Sequence, residues 1–392
     1  MASEAVIVDA VRTPSGKGKP GGGLSGTHPV DLLAHVLAEL VNRTGVDPAV
    51  IDDVIGGCVS QGREQAANIT RNAVLAAGFP EHVPGTTVDR QCGSSQQAMH
   101  FAAQGVLAGA YDVVVACGVE SMSRVPMFSQ YAGADPYGPQ VARRYPPHLV
   151  EQGVAAELLA RHYRLGRDEL DSYSARSHQL AAVARDADRF CREMVSVGEQ
   201  RTDETIRDTT TVAGLAELPP VFPDEQVAER FGAIDWLITA GNASPLTDGA
   251  SAALITSSEA TRRLGLRPRA RFHSFAVVGD DPVLMLRAVV PATRLALKRG
   301  GLSVGDIDAF EVNEAFAPVP LVWQRETGAT LQRVNRHGGA IALGHPLGAS
   351  GTKLLATLLG VLDACNGRYG LQTMCEGGGM ANAAVIERIA DG

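Results

Sequence analysis

Aromatic residues make up 5% of this 392-residue chain, and cysteine occurs six times, never in C-x-x-C spacing. So few cysteines in so long a chain exclude a disulfide scaffold, and their spacing indicates neither a zinc site nor a thioredoxin-like site. No apolar run approaches the ~20 residues of a membrane helix, so no membrane span is expected. Positive charge is also in short supply. Lys and Arg number 35 against 43 Asp and Glu, a formal charge of −8 that disfavours nucleic-acid binding and suits a soluble cytoplasmic protein. The opening residues carry Glu4 and run directly into an apolar strand, which is not the pattern of a signal peptide. What the chain does have is 45% apolar residues and 43 glycines. That is the composition of a globular enzyme with many tight turns, long enough for two or three domains.

Short apolar strands are expected at Glu4–Asp9, Val54–Val59, Tyr111–Gly118 and Ala252–Thr256. They alternate with helical segments at Asp31–Arg43, Gln61–Ala77 and after Ser95. This alternation predicts an α/β fold with a largely buried sheet. Arg12–Gly23 is basic and glycine-rich but lacks the strand–GxxxxGK[ST]–helix context, so it reads as a solvated loop. After Glu120 the pattern breaks. A Pro/Gly/Tyr/Met-rich stretch leads to two helices, Leu149–Arg164 and Asp168–Phe190, and then to a polar span, as an insertion would.

The last third repeats the layout of the first. Cys92 and His345 each precede a helix, and each is followed by a strand ending in Cys, Cys117 or Cys375, after 25 and 30 residues respectively. Two similar halves packed about a pseudo-twofold would bring both helix starts to one cleft. Cys92 lies at a strand-to-helix turn, where the positive end of a helix dipole favours the thiolate. Taken singly, each residue has a plainer explanation: a free cysteine is usually buried packing, and a lone histidine is usually structural.

Together the motifs resemble the thiolase family. Gln91–Ser95 stands at the nucleophile motif, Asn313–Phe316 at the Asn-Glu-Ala-Phe box and Gly344–Gly351 at the Gly-His-Pro box. Cys375–Gly379 stands at the Cys-x-Gly-Gly-Gly box, and Gly241–Ser244 at a coenzyme A motif. The likeness runs the length of the chain. It implies a five-layer α-β-α-β-α core of two similar halves with an inserted lid. The N-terminal half would be residues 1–119 plus 248–268, the lid 120–247 and the C-terminal half 269–392. It implies 3-ketoacyl-CoA thiolysis with Cys92 as nucleophile, His345 as its base and Cys375 as acid and base toward acetyl-CoA and coenzyme A. Asn313, through a water, and His345 would form one oxyanion hole, and the backbone N–H groups of Cys92 and Gly377 the other. Ser244 would contact the pantetheine arm. Coenzyme A is then a co-substrate, no permanent cofactor or metal is implied, and the assembly would be a homodimer or homotetramer.

Three departures matter. His337 stands where relatives carry Asn before the Gly-Gly, a change read here as structural. Glu120–Phe128 lacks the Ala-Pro-His of acetoacetyl-specific relatives, which implies a longer or bulkier acyl chain. Leu218–Phe222 has no basic residue for a coenzyme A phosphate, so those contacts are unassigned. The rival readings are a biosynthetic acetyl-CoA acetyltransferase and, in another class, an inactive acyl-CoA- or lipid-binding relative. Retention of all four of Cys92, Asn313, His345 and Cys375 speaks against the second.

Overall fold

In the computed structural model, residues 4–389 are described. The strands are β1 (Ala5–Arg12), β2 (Gly16–Lys17), β3 (Asp53–Gly57), β4 (Thr86–Val88), β5 (Val113–Ser121), β6 (Thr247–Ser257), β7 (Ala270–Gly279), β8 (Ala309–Val312), β9 (Tyr369–Glu376) and β10 (Met380–Arg388). They form one sheet ordered β4-β3-β5-β6-β1-β7-β10-β9-β8, with β2 on β6. The two halves mirror each other. β3 pairs parallel with β5 as β8 does with β9, and β6 pairs antiparallel with β5 as β10 does with β9. A single parallel bridge from Phe310 to Val334 stands where β4 lies in the first half. β1 and β7 join the halves over Val6 and Ile7 alone.

The longer helices are α1 (Pro29–Thr44), α2 (Ile69–Ala76), α3 (Ser94–Leu107), α4 (Gln152–Tyr163), α5 (Arg167–Asp186), α6 (Val289–Gly300), α7 (Pro318–Thr327) and α8 (Ser350–Cys365). Three apolar clusters define the layers. One packs α1 and α2 on the first half-sheet, and a second sets α3 and α8 between the half-sheets. The third packs α6 and α7, with α4 from the inserted stretch, on the second half-sheet. The order is therefore helix, sheet, helix, sheet, helix, the layering expected of the thiolase fold.

Glycine makes the central contact possible. A Cβ on Gly118 of β5 would sit 2.2 Å from the Gly348 carbonyl oxygen, and one on Gly351 would sit 2.1 Å from the Gln96 backbone nitrogen. Only glycine lets the turn after His345 press onto the first half-sheet, and lets α8 cross α3 so closely.

Several expectations are corrected. Residues 61–77 hold one α-helix, α2, after a short turn of 3₁₀ helix. Ala67 and Asn68 take left-handed backbone angles, and the Asn68 side chain caps the helix at Arg71. α5 stops at Asp186 instead of Phe190, since Asp188 is left-handed. The basic loop is no free loop, for Gly16 and Lys17 pair with Asp248 and Thr247. Leu347–Cys365 does reach the length and mean hydropathy (1.2) of a membrane helix. Most of its residues are buried between the half-sheets, which accounts for their apolar character.

Candidate active site

Cys92 lies between β4 and α3, in a turn where Gln91 takes a left-handed φ of 50°. The Ser94 hydroxyl fixes that turn by accepting from the Arg90 N–H (2.9 Å) and donating to the Gln91 carbonyl (2.6 Å). The sulfur is buried against Leu354 and Met374, with Leu347 alongside. Gly377 packs on this turn, since a Cβ there would stand 3.0 Å from Gln91 Oε1. Cys375, at the end of β9, is fully buried and close enough that a charge on Cys92 raises its pKa.

His345 and Asn313 come from the second half. The β8 strand delivers Asn313, whose backbone N–H donates to Thr373 on β9 (3.0 Å). Its side-chain Nδ2 lies 3.2 Å from His345 Nε2. On the other face of the ring, Nδ1 lies 2.6 Å from Ser350 Oγ, and that hydroxyl donates to the Pro346 carbonyl (2.8 Å). With its own proton committed, Ser350 can only accept. Nδ1 therefore carries the ring hydrogen, and Nε2 presents a lone pair toward Asn313. Leu354 links the two groups: it packs on Cys92 and, with Asn313 and Ser350, lines a cavity of about 10 Å³, room for a single water.

Electrostatics correct one expectation. A helix start alone favours a thiolate at Cys92, yet burial pushes the thiol up to about 12, and nearby Glu376 and Glu120 add to the rise. Cys375 is likewise raised well above the ordinary thiol value, chiefly by burial. Burial and the Lys353 charge hold His345 down at about 3. The resting site thus contains two neutral thiols and a neutral imidazole.

Sequence reasoning overlooked the supports. Lys353 donates to Ser15 Oγ (2.9 Å), to the Gly344 carbonyl (2.9 Å) and to the Leu343 carbonyl, gripping the turn that delivers His345. Glu314 accepts from Tyr173, Ser177, Asn335 and the Ile341 N–H, tying the Asn313 turn to α5. Glu120 accepts from Val59, Ser60 and Gly348 N–H groups and so binds the His345 turn to the first half. These polar side chains sit inside motifs or beside them, but nothing in local spacing reveals their partners. His337 stacks edge-on against Phe190 at 5.9 Å, and burial lowers its pKa to about 4.

Ser244 donates its backbone N–H to the Ala315 carbonyl (3.0 Å). Around it, Gly241, Ala243, Pro245 and Leu246 line a cavity of about 420 Å³ together with Lys17, Lys19, His178 and Arg207. Among the described residues no group of three or more His, Cys, Asp or Glu side chains is arranged to hold a metal.

Duplicated α/β halves that carry two buried cysteines, a histidine and an asparagine at their turns are the arrangement of an acyl-transfer enzyme. The chain belongs to the thiolase family: the thiolase N-terminal domain matches residues 5–259 and the C-terminal domain residues 266–388. It is 47% identical to a steroid 3-ketoacyl-CoA thiolase, FadA6, of Mycobacterium tuberculosis, over 99% of this chain and 95% of that protein. It is 44% identical to a 3-ketoacyl-CoA thiolase of Erwinia tasmaniensis, over 98% of this chain and 99% of that one. The crystal structure of the Bacillus anthracis acetyl-CoA acetyltransferase superposes with a TM-score of 0.88, at 36% identity and 99% coverage of both chains.

Proposed function

We infer that this protein cleaves 3-ketoacyl-CoA by thiolysis, yielding acetyl-CoA or another short acyl-CoA and a shortened acyl-CoA, through an acyl–Cys92 intermediate. The observation that carries this reading is the line Asn313–His345–Ser350, which fixes the imidazole tautomer in a fold that also buries the free thiols of Cys92 and Cys375. The Cys92 proton passes to His345 Nε2 as the sulfur attacks the 3-keto carbon. The thiolate and imidazolium attract one another, offsetting the burial cost that each would meet alone. Collapse of the adduct breaks the Cα–Cβ bond, and Cys375 protonates the departing enolate carbon. The Cys375 thiolate then takes the proton of incoming coenzyme A, whose sulfur displaces Cys92 from the acyl group. His345 finally returns the proton to Cys92.

The oxyanion of the first adduct would be held by the Cys92 and Gly377 backbone N–H groups, and that of the enolate by His345 and Asn313. Coenzyme A would lie in the cavity beside Ser244, with Lys17, Lys19 and Arg207 available to its phosphates. No permanent cofactor enters any step. Residues 120–247 would act as the lid, and the protein would be a cytoplasmic homodimer or homotetramer, with the free edge of β4 available for assembly.

The steroid thiolase among the relatives and the missing Ala-Pro-His both support a long or ring-bearing acyl group over acetoacetyl. A kcat/KM survey over linear, branched and ring-bearing 3-ketoacyl-CoA substrates tests this, with Cys92→Ala as the blank. Turnover should vanish in that variant and be poorest with acetoacetyl-CoA. Undiminished turnover by Cys92→Ala would refute the mechanism.

A further inference from the structure

Gln152 is the first residue of α4, within the inserted stretch between β5 and β6. Its Nε2 reaches the Cys92 sulfur at 3.7 Å, as the only side-chain donor to that atom among the described residues. The apolar side chains packed with Cys92 are Leu347, Leu354 and Met374, which offer no N–H or O–H. The sulfur therefore lies where two helices begin, with α3 starting at Ser94 and α4 arriving from outside the sheet. α4 does not need this contact for its own placement. Glu157, one turn along, accepts the backbone N–H groups of Leu237 (2.9 Å) and Ile238 (2.8 Å), and Leu158 and Leu159 are buried in the core.

We propose that Gln152 is a further catalytic residue, its side-chain amide donating a hydrogen bond to the Cys92 thiolate during attack and again as that sulfur leaves the acyl group. The proposal rests on the reading of Cys92 as nucleophile. In the attacking step the S–H proton moves to His345 Nε2 while the N–H of Gln152 stays on nitrogen, so the amide stabilises charge without transferring a proton. Burial disfavours the Cys92 thiolate, and the hydrogen bond from Gln152 acts against it. The donor is neutral, so it favours the thiolate without raising a competing charge in the acyl channel.

The test compares wild-type protein with Gln152→Leu, which removes the donor, and Gln152→Asn, which keeps the amide but shortens its reach. Thiolate content is read from ultraviolet absorbance, as the difference between each protein and its own Cys92→Ala derivative, across alkaline pH. Both variants should hold about tenfold less Cys92 thiolate than wild type below the midpoint, with kcat reduced to a similar degree and KM little changed. Because the absorbance does not depend on reagent access, a purely architectural role for Gln152 leaves it unmoved. Superimposable titrations in folded variants overturn the proposal. Turnover surviving in Cys92→Ala overturns the nucleophile assignment instead.

Discussion

His345 Nδ1 and Ser350 Oγ stand 2.6 Å apart, and the serine hydroxyl is itself spent on the Pro346 carbonyl at 2.8 Å. This pair decides which imidazole nitrogen is free for chemistry, because a serine that cannot donate to the ring forces the hydrogen onto Nδ1. Removing the hydroxyl as Ser350→Ala leaves a buried N–H without an acceptor and allows the other tautomer. The expected result is a loss in kcat of roughly 10- to 100-fold with KM close to wild type. Ser350→Thr keeps the acceptor and should recover most of the activity. Steady-state kinetics of the two variants decide the matter, and equal loss in both would show that the hydroxyl does not set the tautomer.

Arg12 makes a stability prediction. Its guanidinium is fully buried and pairs with Glu193 (2.5 Å) and Asp203 (2.7 Å), residues that reach it from the inserted stretch. Arg12→Met leaves two buried carboxylates without their main partner. Breaking a buried pair in this way costs about 3–5 kcal/mol, well beyond an ordinary surface substitution. Denaturant melts should show the loss, and a variant within 1 kcal/mol of wild type on the scale of a surface change would contradict it.

Glu376 is buried beside Gly93, and neither of its carboxyl oxygens has a hydrogen-bond partner among the described residues. Burial raises its pKa to about 9, with Asp89 adding to the rise. The folded protein therefore holds this proton while the unfolded chain releases it from its ordinary value of 4.5 upward. Folding stability contributed by the group is complete below the unfolded value and falls as pH rises toward about 9. Glu376→Gln removes the penalty. The variant should match wild type in acid and exceed its stability by roughly 6 kcal/mol at the alkaline end. Melting temperatures across this window test the sign, and a constant difference between the two proteins would exclude a neutral Glu376.

Much of the site's placement was legible in the sequence because its residues sit at turns, and turns have local signatures. Cys92, Asn313, His345 and Cys375 each sit where a strand ends or a helix begins, so their motifs and the strand–helix alternation located them. The acidity of Cys92 was not legible. A helix start is visible in ten residues, whereas the burial that outweighs it comes from Leu354 and Met374, far along the chain. The same holds for Arg12 with Glu193 and Asp203, separated by 181 and 191 positions. Gln152 fell within the expected helix Leu149–Arg164, but helical periodicity does not show that its side chain meets Cys92, 60 positions away. The helix ends were missed where Asn68 and Asp188 adopt left-handed angles that side-chain periodicity does not register.

Lys353 links that buried network to the imidazole. Its ammonium donates to Ser15 and to the carbonyls of Leu343 and Gly344, and burial lowers its pKa to about 7 against the pull of Asp203. Its positive charge is also one reason why His345 stays neutral, after burial itself. Lys353→Met removes that charge while roughly keeping the length of the side chain. Protonation of the imidazole then becomes easier, so the His345 pKa rises from about 3 and the acid limb of kcat/KM moves to higher pH. Two effects should separate cleanly. Loss of the carbonyl grip lowers the plateau at all pH values, whereas loss of charge displaces the limb. Lys353→Arg keeps the charge, so its limb should stay at the wild-type position even where its bulk lowers the plateau. A full pH profile of the three proteins measures both, and an acid limb unmoved in Lys353→Met would show that the lysine acts on the turn alone.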